Sequence, residues 1–117
     1  MSNTPTFVPL NDDAALDAAF AAPLAVLYKH STTCSLSAMA YEEVAQYLKR
    51  PDAEPIQLVD LLAFRPISNA IETRSGIRHE SPQILILKQG EVVWNASHRR
   101  VTAQAIADAV NAARSTT

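Results

Sequence analysis

The sequence predicts an α/β fold: a central mixed sheet of about four strands with helices on both faces. Two observations carry this. Short, nearly continuous apolar runs ("LAVLYK", "IQLVDLL") alternate with stretches of helical periodicity, the pattern of strands buried on both faces and joined by helices. Two further runs, "PQILILK" and "EVVWNAS", are separated only by Gln89 and Gly90, the spacing of an antiparallel hairpin. The chain has 117 residues, 48% hydrophobic and 19% charged, enough for one domain with a single core. No repeat or long linker divides it, so one domain is expected over residues 1–117, with its core at about 11–114.

Each element has its own signal. Asn11 is placed to cap a first helix, "DDAALDAAFA", whose aspartates suit the N-terminal dipole and whose Leu16 and Phe20 share a face. "LAVLYK" follows Pro23 as an interior strand. From Ala38 the apolar positions Ala38, Tyr41, Val44, Ala45 and Leu48 recur at helical spacing until Pro51 stops the helix. Ile56 to Leu62 reads as a second interior strand. Pro66 suits the first position of a short helix with Ile67, Ala70 and Ile71 inward and Gly76 as its C-cap. After the hairpin, Thr102 caps a last helix with Ile106 and Val110 on one face. Helix, strand, helix, strand, helix, hairpin, helix is the thioredoxin-like plan.

Composition excludes several classes. A net charge of -2 argues against a nucleic-acid binder, which needs clustered lysine and arginine facing phosphates. The longest apolar run, Leu24 to Tyr28, is far too short to span a bilayer, so no membrane role is expected. "MSNTPTFVPL" has neither the basic cluster nor the apolar core of a secretory signal. One cysteine allows no intramolecular disulfide, and the expectation is a reduced, cytoplasmic protein. Three scattered histidines and one cysteine make no structural zinc set, so no metal site is expected.

The single cysteine, Cys34, lies in "KHSTTCSLSAMA", just past an interior strand and at the first turn of a helix. That edge of an open α/β sheet is where ligand sites gather. Unpaired backbone N–H groups and the helix dipole there favour a thiolate. A two-unit fall in a thiol pKa is worth about 2.7 kcal/mol to the anion. Free cysteine is often simply buried. Here Thr33 precedes Cys34 and Ser35 follows it, hydroxyl neighbours and not aliphatic ones, which favours a presented nucleophile. Lys29 and His30 lie just upstream and are placed to add positive charge. Ser37 stands where a Cys-x-x-Cys motif carries its second thiol. A hydroxyl there can donate to a thiolate but cannot resolve a disulfide, so chemistry at this site is monothiol.

A second marker is "RHESPQ", in which Ser81 and Pro82 immediately precede the first hairpin strand. His30 and His79 are candidates for contact with an anionic thiol, although each reads first as a solvated loop histidine. Trp94 reads as packing. "SHRR" reads as a solvated loop that leads into the last helix; Arg99 and Arg100 suit a carboxylate, but a basic pair on a surface is commonplace.

Together "YKHSTTCSLSAMAYEEV", "HESPQILILKQGEVVW" and "WNASH" resemble the monothiol bacilliredoxins (the YtxJ-like family), thioredoxin-like proteins of the bacillithiol redox system. The similarity runs from about Leu24 to Val110. It implies a monothiol thiol-disulfide oxidoreductase that removes bacillithiol from protein mixed disulfides. Cys34 would be the nucleophile and Ser37 the replacement for a resolving cysteine. Ser81 and Pro82 would form a cis-proline substrate ledge facing the sulfur. The implied partners are bacillithiolated client proteins and the low-molecular-weight thiol itself, with bacillithiol as co-substrate and no tightly bound cofactor. One departure is visible: the family usually carries proline after the cysteine, and here it is Ser35, which bears on the tuning of the thiol. Two other readings stand beside this one. A glutaredoxin-like protein would use another small thiol or hold an iron–sulfur cluster, but "CSLS" lacks the glycine of the cluster-binding Cys-Gly-Phe-Ser. A thioredoxin-like binding module would have no catalysis at all.

Overall fold

A computed structural model describes residues 7–31 and 35–115. The elements in chain order are β1 (Phe7–Pro9), α1 (Asp13–Ala21), β2 (Leu24–His30), α2 (Ser35–Leu48) and β3 (Ile56–Asp60). They continue as α3 (Arg65–Ser75), β4 (Gln83–Lys88), β5 (Glu91–Ser97), a 3-10 turn at His98–Arg100 and α4 (Ala103–Ser115). The sheet has five strands in the order β1-β3-β2-β4-β5. β2 and β1 run parallel to β3, while β4 is antiparallel to both β2 and β5. The chain therefore has the predicted mixed sheet with one strand more than expected. That strand, β1, is three residues long and includes Pro9, so it is too short for any period to show. Proline is tolerated there because β1 is an edge.

The core lies on both sides of this sheet. Val26, Tyr28, Ile84 and Ile86 project to one face, against Val44 and Leu48 of α2 and Ile106 and Val110 of α4. Ala25, Leu27, Leu85 and Leu87 project to the other, against Leu16 and Ala19 of α1 and Ile67 and Ile71 of α3. This alternation explains why β2 and β4 read as unbroken apolar runs: each successive residue meets a helix layer. Each fully buried aliphatic side chain contributes about 1.5–3 kcal/mol. Trp94, half-buried, packs on the α2/α4 side. No helix among the described residues is long and apolar enough to cross a membrane.

Several local expectations are corrected. The cap of α1 is Asp12, not Asn11: its Oδ1 accepts from the Ala15 N–H at 2.8 Å. The inward face of α2 is Ser37, Ala40, Val44, Tyr47 and Leu48, with Ala38 and Tyr41 exposed. Tyr47 turns inward because its hydroxyl accepts from the Glu54 N–H at 2.7 Å, so burial leaves no polar atom orphaned. β3 stops at Asp60, whose Oδ1 accepts from the Leu62 N–H at 3.0 Å while its carbonyl accepts from Phe64 N–H at 2.8 Å, bending the chain before Leu62. Pro66 is the second residue of α3, one later than expected. Gly76 caps α3 in the left-handed region at φ 74°, as read from the sequence. Thr102 Oγ1 accepts from the Ala105 N–H at 3.1 Å, the expected cap of α4. Glu43 of α2 adds a second, accepting from the Ala103 N–H at 2.8 Å.

Candidate active site

The site forms where β2 ends and α2 begins. β2 is hydrogen-bonded on both sides, to β3 and to β4, so its carboxyl end is held by the rigid middle of the sheet. α2 starts at Ser35, the residue after Cys34. Thr33 and Cys34 themselves lie outside the described residues. Ser37 is fully buried, and its Oγ accepts from the Ser31 N–H at 3.4 Å. The hydroxyl at the resolving position thus ties the strand end to the first turn of the helix. Ser35 is exposed on the same turn.

Strand alternation separates the two upstream basic residues. His30 turns toward α2, where its ring lies 5.1 Å from that of Tyr41 and 5.7 Å from that of Tyr28. Its Nδ1 is 3.2 Å from the oxygen of the Tyr28 hydroxyl, whose one hydrogen is donated to the Ser37 carbonyl at 3.5 Å. Burial lowers the His30 pKa, with Asp60 opposing, so the ring at this strand end favours the neutral form. Burial, aided by Tyr41, raises the Tyr28 pKa, and the phenol stays protonated as a donor. His30 is therefore not the solvated loop histidine expected from the sequence, nor a strong source of positive charge.

Lys29 turns to the opposite side and is fully buried. Its Nζ lies 3.2 Å from His79 Nδ1, and Ser68 Oγ lies 3.3 Å from the same nitrogen. An ammonium has only hydrogens to give, so Nδ1 is the acceptor and this imidazole is neutral whenever Lys29 is charged. Burial pulls the Lys29 pKa down to about 8, with Glu72 opposing. Burial and then the charges of Lys29 and Arg65 lower that of His79, against Glu72 and Glu80. His79 is thus a half-buried structural partner and not a free loop side chain. The sequence missed Ser68 and Glu72. Their i, i+4 spacing on α3 puts them on one face, but nothing in it says that His79 comes to meet them.

The loop before β4 is fixed at several points. The His79 N–H donates to Glu72 Oε2 at 2.7 Å, and Gln83 Nε2 donates to the Arg78 carbonyl at 2.9 Å. The Ser97 hydroxyl donates to the Glu80 carboxylate. The His98 N–H donates to the Pro82 carbonyl at 2.9 Å. The Ser81–Pro82 peptide is cis, as the resemblance implied, and Pro82 is buried. Whether Ser81 faces the Cys34 sulfur falls outside the described residues. The structure brings Ser35 and Ser37, His30, and the Ser81–Pro82 loop to one end of the sheet; Lys29 and His79 support that end from the α3 side.

Comparison with known proteins agrees with this architecture. The family described as monothiol bacilliredoxin BrxC matches residues 9–106. Among solved structures, a thioredoxin-fold protein classed as an oxidoreductase superposes with TM-score 0.80 at 28% identity, over 89% of this chain and 93% of that one. A thioredoxin from Trypanosoma brucei brucei gives TM-score 0.79 at 9% identity, over 98% and 96% of the two chains. A mutant thioredoxin from Halobacterium salinarum NRC-1 gives 0.75 at 14%, over 100% and 98%. The last two show the fold alone. The family match runs from the end of β1 into α4 and so takes in every segment that builds the site: the chain belongs to the monothiol bacilliredoxin BrxC family, and its chemistry is thiol redox chemistry.

Proposed function

We propose that the protein is a monothiol thiol-disulfide oxidoreductase that removes bacillithiol from protein mixed disulfides through Cys34. The observation that carries the reading is that α2 begins at Ser35, directly after the only cysteine of the chain, at the end of the central strand. A thiolate there is favoured by the helix dipole and the free N–H groups of the first turn. It attacks the bacillithiol sulfur of the mixed disulfide. The Cys34–bacillithiol bond forms as the client's S–S bond breaks, and the client sulfur leaves as thiolate and takes a proton from water. Ser37 cannot displace the adduct, so a second small thiol attacks it, releasing Cys34 and a bacillithiol-containing disulfide. Thr33 and Ser35 are the sequence neighbours of Cys34, and Ser81 and Pro82 supply a ledge for the client segment. Lys29, His30 and His79 act behind this surface by holding its walls. The cytoplasm, where clients are kept reduced, suits this reaction.

The test uses a bacillithiolated client protein and intact-mass readout. The native chain is expected to free the client and gain one bacillithiol. Cys34→Ser is expected to do neither while keeping its thermal midpoint. Transfer by the serine variant would overturn the assignment. A parallel incubation with a glutathionylated client decides the thiol: equal rates would defeat bacillithiol specificity and leave a glutaredoxin-like exchange.

A further inference from the structure

A groove beside the start of α2 has no role in the chemistry above. It is a shallow, open depression of about 430 Å³ lined by Leu36, Glu80, Ser97, His98, Arg99 and Arg100. A smaller cavity of about 190 Å³ shares Leu36, His98 and Arg99 with it and reaches Met39 of α2. These volumes together suit a small molecule. Leu36 stands two positions after Cys34 in the sequence.

Three successive basic residues, His98, Arg99 and Arg100, form the 3-10 turn on one rim, and all three are exposed. The turn is anchored and not loose. The His98 N–H donates to the Pro82 carbonyl at 2.9 Å, and Ser97 before it donates to Glu80. His98 adopts φ 55°, in the left-handed region that residues other than glycine seldom occupy. Such backbone persists where surrounding contacts hold it, often at ligand clamps. The acids in the walls each accept a hydrogen bond from the protein, Glu80 from the Ser97 hydroxyl and Glu43 from the Ala103 N–H of α4, and Glu80 keeps its charge. Arg100 is near enough to favour the Glu80 charge, yet among the described residues the arginine ion pairs are Arg74–Asp17 and Arg114–Glu54.

We propose that this groove is a subsite for a carboxylate carried by the small thiol, clamped by Arg99 and Arg100 while the sulfur is held on Cys34. The inference rests on the exchange reaction proposed above and names the part of its substrate that the protein recognises. Guanidinium groups pair with carboxylates in a planar fork, which gives orientation as well as attraction. The apolar wall of Leu36 and Met39 faces the carbon chain of the same ligand.

The test compares adduct formation on Cys34 from two symmetrical small disulfides, carboxylate-bearing bacillithiol disulfide and neutral 2-hydroxyethyl disulfide. Rates are read by intact mass at low and high sodium chloride. The ratio of the charged to the neutral rate is the readout, because any change in thiol reactivity cancels from it. The paired variant Arg99→Gln with Arg100→Gln is expected to lower that ratio about tenfold, the effect of two exposed ion pairs. Salt should lower the native ratio toward that of the variant. An unchanged ratio in the variant overturns the subsite. So does a variant defect seen only with a mixed disulfide on an acidic peptide, which would make the groove a client-docking surface. If neither disulfide gives an adduct on native protein, the exchange reaction itself fails, an outcome distinct from a failed subsite. Arg99→Lys with Arg100→Lys keeps the charge but loses the fork, and an intermediate ratio is expected.

Discussion

Lys29 sits where a lysine is rarely found, with no exposed surface and an imidazole nitrogen for its partner. Burial holds its pKa at about 8, below the ordinary 10.5. A base whose folded pKa is depressed weakens the fold when protonated: its share of stability is present above the unfolded value and lost as pH falls through the folded one. Between pH 7 and 9.5 the native protein is therefore expected to gain about 2 kcal/mol from this residue. Above pH 10 the buried Tyr28 and Tyr47 act the other way, because burial raises their pKa and unfolding lets them ionise. Lys29→Met should remove the gain and leave a flatter curve, as measured by urea unfolding at the two pH values. An identical slope in both proteins would mean that the ammonium is solvated. None of this was legible in "YKHSTTC". A strand's period of two sends Lys29 and His30 to opposite faces, but only the register with β3 and β4 shows what each face meets.

Among elements, the hairpin was the most legible, and its turn shows why. Gln89 and Gly90 both have positive φ, 51° and 82°, the twist that a two-residue connection between antiparallel strands requires. Gly90 meets a second demand: a Cβ there would lie 2.8 Å from the carbonyl oxygen of Phe20 near the end of α1. Gly90→Ala is thus expected to cost about 1–3 kcal/mol, from an unfavourable φ and a clash with backbone that cannot swing aside. Chemical denaturation checks it, and an unchanged midpoint would show that α1 yields. Elements marked by long periods or by glycine and proline could be read in advance. β1 could not, because three residues carry no period and its pairing partner is β3, far along the chain. The face of α2 was misphased because Tyr41 and Tyr47 are equally apolar as letters. Only the hydrogen bond from the Glu54 N–H to the Tyr47 hydroxyl decides which one goes inside.

For the whole molecule, the layered plan was legible because both layers write themselves into the same strands. The site was legible only in outline. The serine, the cysteine and the proline stood out as letters, whereas the contacts that hold the Arg78–Gln83 loop come from α3, the end of β5 and the turn after it, and converge only in space. The central place of β2 has a consequence of timing. With β3 on one side, β4 on the other and a helix layer on each face, its amides can meet solvent only when the sheet comes apart. In deuterium labelling followed by mass spectrometry, the segment from Ala25 to Lys29 is expected to exchange last, at the rate of global unfolding. The Arg99–Arg100 turn, exposed at the rim, is expected to label early. Early labelling of β2 would mean that the sheet opens locally. If the expected order holds, the strand that leads to Cys34 keeps its place for as long as the molecule stays folded, while the exposed rim trades its amide hydrogens with solvent throughout that interval.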